Sequence, residues 1–220
     1  MPPMTCSVKI CGLSTPEGVI AARDGGAAYV GFVFFDKSPR NIRPLAAQDL
    51  TSLLARGKGP PAKSVAVCVD PDNDALAQML THFRPDFIQL HGKETPARCA
   101  EIRSMTGCGL IKAVSVSDAS DIQAARVFES VTDHLLFDAR PPKDADLPGG
   151  VGARFDWTLL QGQRFSKPWF LAGGLDPWNV AEAVHISGAP LVDVSSGVER
   201  GPGLKDPALI SAFLERVRTA

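Results

Sequence analysis

A thiol, a few carboxylates, one arginine and two glycine-bearing segments are the groups in this chain whose types and spacing could do chemistry. Cys11 closes the apolar run Ser7–Cys11, and the period-two alternation of an extended segment puts Lys9 and Cys11 on one face. A cation beside a thiol favours the thiolate, which can act as nucleophile or base. A small buried core cysteine fits the same position, as it does for most free cysteines. Asp138 ends Leu135-Leu136-Phe137 and precedes Arg140-Pro141-Pro142. A carboxyl group at the edge of an apolar run is partly desolvated, which suits it to hand over a proton. An N-cap or a salt bridge with Arg140 is its structural alternative. Gly173-Gly174 and Ser196-Gly197 sit in two short loops where backbone N–H groups could approach an anion closely. Two tight turns would also explain them. Ser38-Pro39-Arg40 offers a planar fork for a carboxylate on a stiffened loop, although a solvated arginine fits too. His91, just after Gln89-Leu90, could move a proton or merely line a cavity, and Asp70 and Asp193 also fall at the ends of apolar runs. No H-x-x-x-H or C-x-x-C spacing points to a metal.

Groups so far apart in the chain need a scaffold that gathers them. Apolar runs rich in Val, Ile and Phe recur at Ser7–Cys11, Tyr29–Phe34, Ser64–Val69, Phe87–His91, Leu110–Val114, Leu135–Asp138, Trp169–Ala172 and Leu191–Val194. Helical patterns such as Ile122/Ala125/Phe128 lie between them. Thr15-Pro16, Thr95-Pro96, Asp176-Pro177 and Asp206-Pro207 each set a capping side chain before a proline suited to the first helical turn. The rhythm predicts eight strands, each followed by a helix.

A closed (β/α)8 barrel and an open doubly wound sheet both satisfy that rhythm. The open dinucleotide-binding sheet should show G-x-G-x-x-G after its first strand, yet Cys11-Gly12-Leu13-Ser14-Thr15-Pro16 stands there. The barrel, an α/β fold with a parallel eight-stranded core, is therefore expected, with residues 1–220 as one domain. Barrel enzymes work at the C-terminal ends of their strands, where all the groups above fall. The Pro- and Gly-rich stretch Arg140–Gly152 reads as a long loop over that face.

Composition narrows the classes. Of 220 residues, 45% are hydrophobic and 21% charged, ordinary globular values that argue against disorder. A formal net charge of -1 leaves no footprint for nucleic acid or an anionic membrane surface. The longest apolar stretch, Gly25–Phe35, is too short to span a bilayer, and Met1–Lys9 has no apolar signal core. Five cysteines make no even disulfide framework. A soluble, cytoplasmic protein acting on a small molecule is expected, as a monomer or a homodimer.

Taken in order, the motifs resemble the phosphoribosylanthranilate isomerases of tryptophan biosynthesis. The likeness runs through Val8-Lys9-Ile10-Cys11-Gly12-Leu13, Gly31-Phe32-Val33-Phe34 with Ser38-Pro39-Arg40, and Ile88-Gln89-Leu90-His91-Gly92. It continues through Leu136-Phe137-Asp138, Leu171-Ala172-Gly173-Gly174-Leu175 and Val192-Asp193-Val194-Ser195-Ser196-Gly197-Val198-Glu199. The K-I-C-G opening and the V-D-V-S-S-G-V-E close are specific together. The resemblance implies a cofactor-free (β/α)8 barrel that rearranges N-(5-phosphoribosyl)anthranilate to 1-(2-carboxyphenylamino)-1-deoxyribulose 5-phosphate. It implies Cys11 as general base, Asp138 as general acid, Arg40 near the anthranilate carboxylate and the two glycine loops on the phosphate. His91 and Asp193 join Arg40 as candidates to touch the substrate. Two rivals remain: another phosphosugar barrel, of the indole-glycerol-phosphate synthase or epimerase type, and a non-catalytic phosphate-binding barrel. The indole synthase would carry catalytic lysines and glutamates at strand ends in a longer chain, whereas Cys11 ends strand one here; the non-catalytic barrel should have lost the acid or the base.

Overall fold

Eight apolar runs become eight parallel strands because each is too short for a helix and is bounded by Gly, Pro, Asp or His. They are β1 (Ser7–Cys11), β2 (Tyr29–Phe34), β3 (Lys63–Cys68), β4 (Phe87–Leu90), β5 (Gly109–Val116), β6 (His134–Ala139), β7 (Trp169–Leu171) and β8 (Leu191–Val194). Each pairs with the next, and β8 returns to β1 to close the barrel. The computed structural model describes residues 6–56, 61–140, 149–150 and 152–220. Around the barrel lie α1 (Pro16–Asp24), α2 (Pro44–Thr51), α3 (Asn73–His82), α4 (Pro96–Thr106), α5 (Ala119–Ala124), α6 (Val180–Ser187) and α7 (Pro207–Arg218). A small hairpin, β9 (Glu199–Gly201) with β10 (Leu204–Lys205), follows β8. Among the described residues, no helix is long and apolar enough to cross a membrane.

Three of the four expected caps form. The side chains of Thr15, Thr95 and Asp206 accept from backbone N–H groups of the first turns of α1, α4 and α7, each with proline at the start. Asp176-Pro177 does otherwise: Asp176 accepts from the N–H groups of Trp178 and Asn179, which builds a separate turn, and α6 begins only at Val180. The expectation of a helix after every strand also needs correction. Among the described residues the β6–β7 connection holds only a 3-10 turn, Trp157–Leu160, with Gly162 at φ +71° soon after it. The Ile122/Ala125/Phe128 pattern divides between α5 and a further 3-10 turn, Ala125–Phe128.

Alternation along the strands separates two cores. Val8, Ile10, Phe32 and Phe137 face the helices, whereas Cys11, Val33, Val67, Ile111, Leu136 and Phe170 pack inside the barrel. The floor of the barrel is aromatic: Tyr29 lies 5.2 Å from Phe170, and His134 lies 5.2 Å from Phe87 and 5.5 Å from Phe170, centroid to centroid. Burial pulls the His134 imidazole below its ordinary value, more than neighbouring Asp133 can raise it. The folded state thus binds this proton less readily than the unfolded chain, whose histidines titrate near about 6.5. Stability from this site is full above that value and is lost as pH falls below it. Melting temperatures at about pH 8 and about pH 5.5 should therefore diverge, and His134→Phe should shrink the gap. An unchanged gap in that variant contradicts the assignment.

Candidate active site

The C-terminal ends of the strands surround a pocket whose lining includes Cys11, Arg40, Gln89, His91, Asp138, Gly173, Gly174, Asp193 and Ser196. The candidates separated by up to 185 positions in sequence thus share one cavity, apart from Asp70 and Gly197. Asp70 lies instead on a shallow acidic depression with Asp72 and Asp74. Gly197 packs behind the mouth.

Cys11 sits inside the barrel with Lys9, as alternation requires. Lys9 is fully buried and donates from Nζ to Asp193 Oδ1 at 2.9 Å, across the β1–β8 pairing that sets Lys9 opposite Asp193. Gly31 on β2 leaves the room: a Cβ there would lie 3.0 Å from Cys11 Sγ and 3.2 Å from Lys9 Cε. Asp193, expected to touch substrate, therefore has Lys9 as its immediate partner. The electrostatics correct one expectation. Burial pushes the Cys11 thiol up, and Lys9 opposes this without overcoming it. Burial likewise pulls Lys9 down, but Asp193 and Cys11 outweigh it, so the ammonium is held charged.

Asp138 is buried at the end of β6, with Oδ2 3.2 Å from His91 Nε2, though out of line for a hydrogen bond. His91 Nδ1 lies 2.9 Å from Gln89 Nε2. If that amide donates, the ring proton belongs on Nε2, facing Asp138. The salt-bridge alternative for Asp138 falls away, since Arg140 pairs with Asp121 at 2.7 Å. A Cβ on Gly149 would meet Asp138 Oδ2 at 2.5 Å and His91 Nε2 at 2.7 Å, so the chain after β6 passes closely over both. The rest of the predicted loop, residues 141–148 and 151, lies outside the described residues.

Arg40 is buried at the mouth rather than solvated, and its fork is already engaged. Nε and Nη2 bind the two oxygens of Glu199 at 2.7 and 2.9 Å, and Nη2 also reaches the Gly150 carbonyl at 3.3 Å. The expectation of a free two-pronged fork is thus corrected: among the described residues only Nη1 is left without a hydrogen-bond partner. Glu199 appeared in the sequence only as the end of a motif, and Lys205, which joins it, was missed. Glu and Lys flanking the Gly201-Pro202-Gly203 turn were the signal available.

The two glycine loops meet. Gly173 and Gly174 hold φ of +89° and +60°, conformations L side chains rarely adopt. A Cβ on Gly197 would collide with the Leu175 carbonyl, so loop eight packs directly on loop seven. Among the described residues, no acceptor takes the backbone N–H of Gly173, Gly174 or Ser196. Unpaired N–H groups in a concave cleft suit an anion. Arg154, also missed, lies beside them, donating to the Gly174 carbonyl and to Asp176. Among the described residues no group of three or more His, Cys, Asp or Glu is placed to hold a metal.

The family model for N-(5'-phosphoribosyl)anthranilate isomerase matches residues 8–216. A relative of that name from Caulobacter sp. (strain K31) is 62% identical over 210 residues, covering 96% of this chain and 97% of its own. The one from Paracoccus denitrificans is 53% identical, covering 97% of each. The crystal structure of phosphoribosyl anthranilate isomerase from Thermotoga maritima superposes with a TM-score of 0.85 at 33% identity, covering 98% of this chain and 100% of that one. A crystal structure of a phosphoribosyl anthranilate isomerase in complex with reduced 1-(o-carboxyphenylamino)-1-deoxyribulose 5-phosphate gives 0.82 at 32%, with the same coverage. The barrel, the pocket and these likenesses converge: the chain belongs to the N-(5'-phosphoribosyl)anthranilate isomerase family.

Proposed function

We propose that Cys11 and Asp138 carry the isomerisation of N-(5-phosphoribosyl)anthranilate to 1-(2-carboxyphenylamino)-1-deoxyribulose 5-phosphate, the tryptophan-pathway step of this family. One observation carries the assignment: a thiol from β1 and a carboxyl from β6 open into the same pocket, beside two loops whose N–H groups have no acceptor among the described residues. Opening the aminoaldose ring requires a proton on the ring oxygen as the nitrogen lone pair forms the iminium. Asp138 supplies that proton, with His91 against the carboxylate that results. The iminium acidifies the C2 proton, and the Cys11 thiolate removes it to give an enolamine. Ketonisation then puts a proton on C1 and releases that of the 2-hydroxyl, so neither electrons nor protons are gained overall. Lys9 offsets part of the cost of a buried thiolate, and Asp193 keeps Lys9 in place. Positioned acids and bases of this kind contribute about 10²- to 10⁴-fold each.

The same reading places the substrate's ends. The anthranilate carboxylate meets the Nη1 edge of Arg40, and the phosphate is held by the N–H groups of Gly173, Gly174 and Ser196, while Gly197, packed on the Leu175 carbonyl, supports loop eight from behind. The chain works as one domain, in the cytoplasm, on a small phosphorylated substrate. Gly174→Ala should raise the inhibition constant of inorganic phosphate by about tenfold or more, because Cβ strains a φ of +60° and meets Arg154. Ser196→Ala should do far less. Equal phosphate inhibition of Gly174→Ala and wild type contradicts the placement. The activity itself is tested by adding purified protein to freshly made phosphoribosylanthranilate, whose fluorescence should decay. A stable signal overturns the proposal.

A further inference from the structure

Glu199 is the most heavily bonded side chain at the mouth, and the steps above give it nothing to do. It accepts four hydrogen bonds: Arg40 Nε at 2.7 Å, Arg40 Nη2 at 2.9 Å, Lys205 Nζ at 2.6 Å and the Gly203 N–H at 3.2 Å. Its side chain is only 4% exposed, and that of Lys205 only 1%. Lys205 also donates to the Ser195 carbonyl at 2.7 Å, the residue that opens loop eight. The β9–β10 hairpin that carries both charges is seated on the loop after β2. A Cβ on Gly203, at φ +77°, would lie 2.6 Å from the Pro39 carbonyl oxygen. Gly12 completes the fit, since a Cβ there would lie 2.6 Å from Arg40 Cδ and 3.3 Å from Ser195 Oγ. A carboxylate with its acceptor capacity filled, in a fitted buried setting, differs from surface pairs such as Arg218 with Glu215, which are mostly exposed.

We propose that Glu199 and Lys205 are positioning residues that fix the separation between Arg40 and the Ser195–Gly197 loop, and so select ligands carrying an aryl carboxylate and a phosphate at that spacing. The proposal rests on the placement of the carboxylate at Arg40 and the phosphate at loops seven and eight. An arginine stem is long and many-jointed, and an unclamped guanidinium would have to be ordered by each arriving ligand. Glu199 takes the Nε edge, so the plane is set and only the outer edge is offered. Lys205 balances Glu199 and ties it to the Ser195 carbonyl, which makes one rigid unit of the two anion sites. Burial alone would favour a protonated Glu199, but Arg40 and Lys205 hold its carboxyl below the ordinary range.

The test measures inhibition by anthranilate and by inorganic phosphate separately, with KM and kcat, in wild type, Glu199→Gln, Glu199→Asp, Lys205→Met and Arg40→Ala. Glu199→Gln is the decisive arm, because the sign of its effect separates positioning from simple charge. Removing a negative charge beside Arg40 would tighten anthranilate if Glu199 were an electrostatic bystander. Positioning predicts the opposite: anthranilate inhibition weakened about tenfold, phosphate inhibition changed less than about twofold, and KM moved more than kcat. Glu199→Asp should recover part of the loss; should Glu199→Gln not fold, the shorter carboxylate still decides, because a bystander charge predicts unchanged anthranilate inhibition and positioning predicts a weakening. Lys205→Met should weaken both inhibitors. Unchanged or tighter anthranilate binding in Glu199→Gln, with Arg40→Ala weakened, overturns the positioning role alone. Unchanged anthranilate binding in Arg40→Ala overturns the placement beneath it, and the positioning role falls with it.

Discussion

Asp138→Asn should lower kcat by about 10²- to 10⁴-fold while leaving the melting temperature within a few degrees of wild type. The amide keeps the shape of the carboxyl group and its place against His91, but it has no acidic proton for the ring oxygen. Because that proton is needed only as the ring opens, KM should change little, the pattern expected when an interaction made in the transition state is lost. A substrate analogue trapped in the open-chain form would bypass the step, and for it the variant should lose much less. Comparable losses on both forms would move Asp138 from ring opening to a later proton transfer. A full rate on the natural substrate would remove it from the chemistry.

Cys11→Ala should cost about 10²-fold or more in kcat, and Cys11→Ser nearly as much, since an unassisted hydroxyl is a far weaker base near neutrality. The pH dependence gives this prediction its sign. The thiolate is the active form, and burial holds the thiol above the ordinary range near about 8.5 despite Lys9. The wild-type kcat/KM should therefore climb as pH rises through neutrality into the alkaline range. Lys9→Met removes the opposing cation, so its rising limb should shift to still higher pH and its rate at neutral pH should drop. A flat profile in wild type, or a limb that Lys9→Met leaves in place, contradicts a thiolate base.

The barrel was legible because its signals are local. Apolar runs bounded by Gly, Pro and Asp specify strands, and Thr15, Thr95 and Asp206 cap helices through side chains a few residues from their partners. Local signals also mislead where two structures share them. Asp176-Pro177 is as good a turn as a helix start, and the bond from the Asn179 amide back to the Gly174 carbonyl, five residues earlier, favours the turn. The strand-end residues of the site could be gathered once the barrel was assumed, since the fold brings all strand ends to one face. Their partners could not. Arg40 and Glu199 are 159 positions apart, and nothing in one-dimensional spacing marks that pairing. The Cys11 thiol shows the same limit: alternation reveals the neighbouring cation, but the burial that outweighs it is a property of the closed barrel.

The central claim, that Cys11 takes the C2 proton while Asp138 serves the ring oxygen, is most directly tested by a crystal structure of this chain with the reduced product analogue bound. Cys11 Sγ should lie about 3 to 3.5 Å from C2 of the ligand, the distance of a reacting pair, with the phosphate between loops seven and eight and Asp138 at the sugar's opposite face. A ligand whose C2 points away from Cys11, with another base in reach, would contradict it.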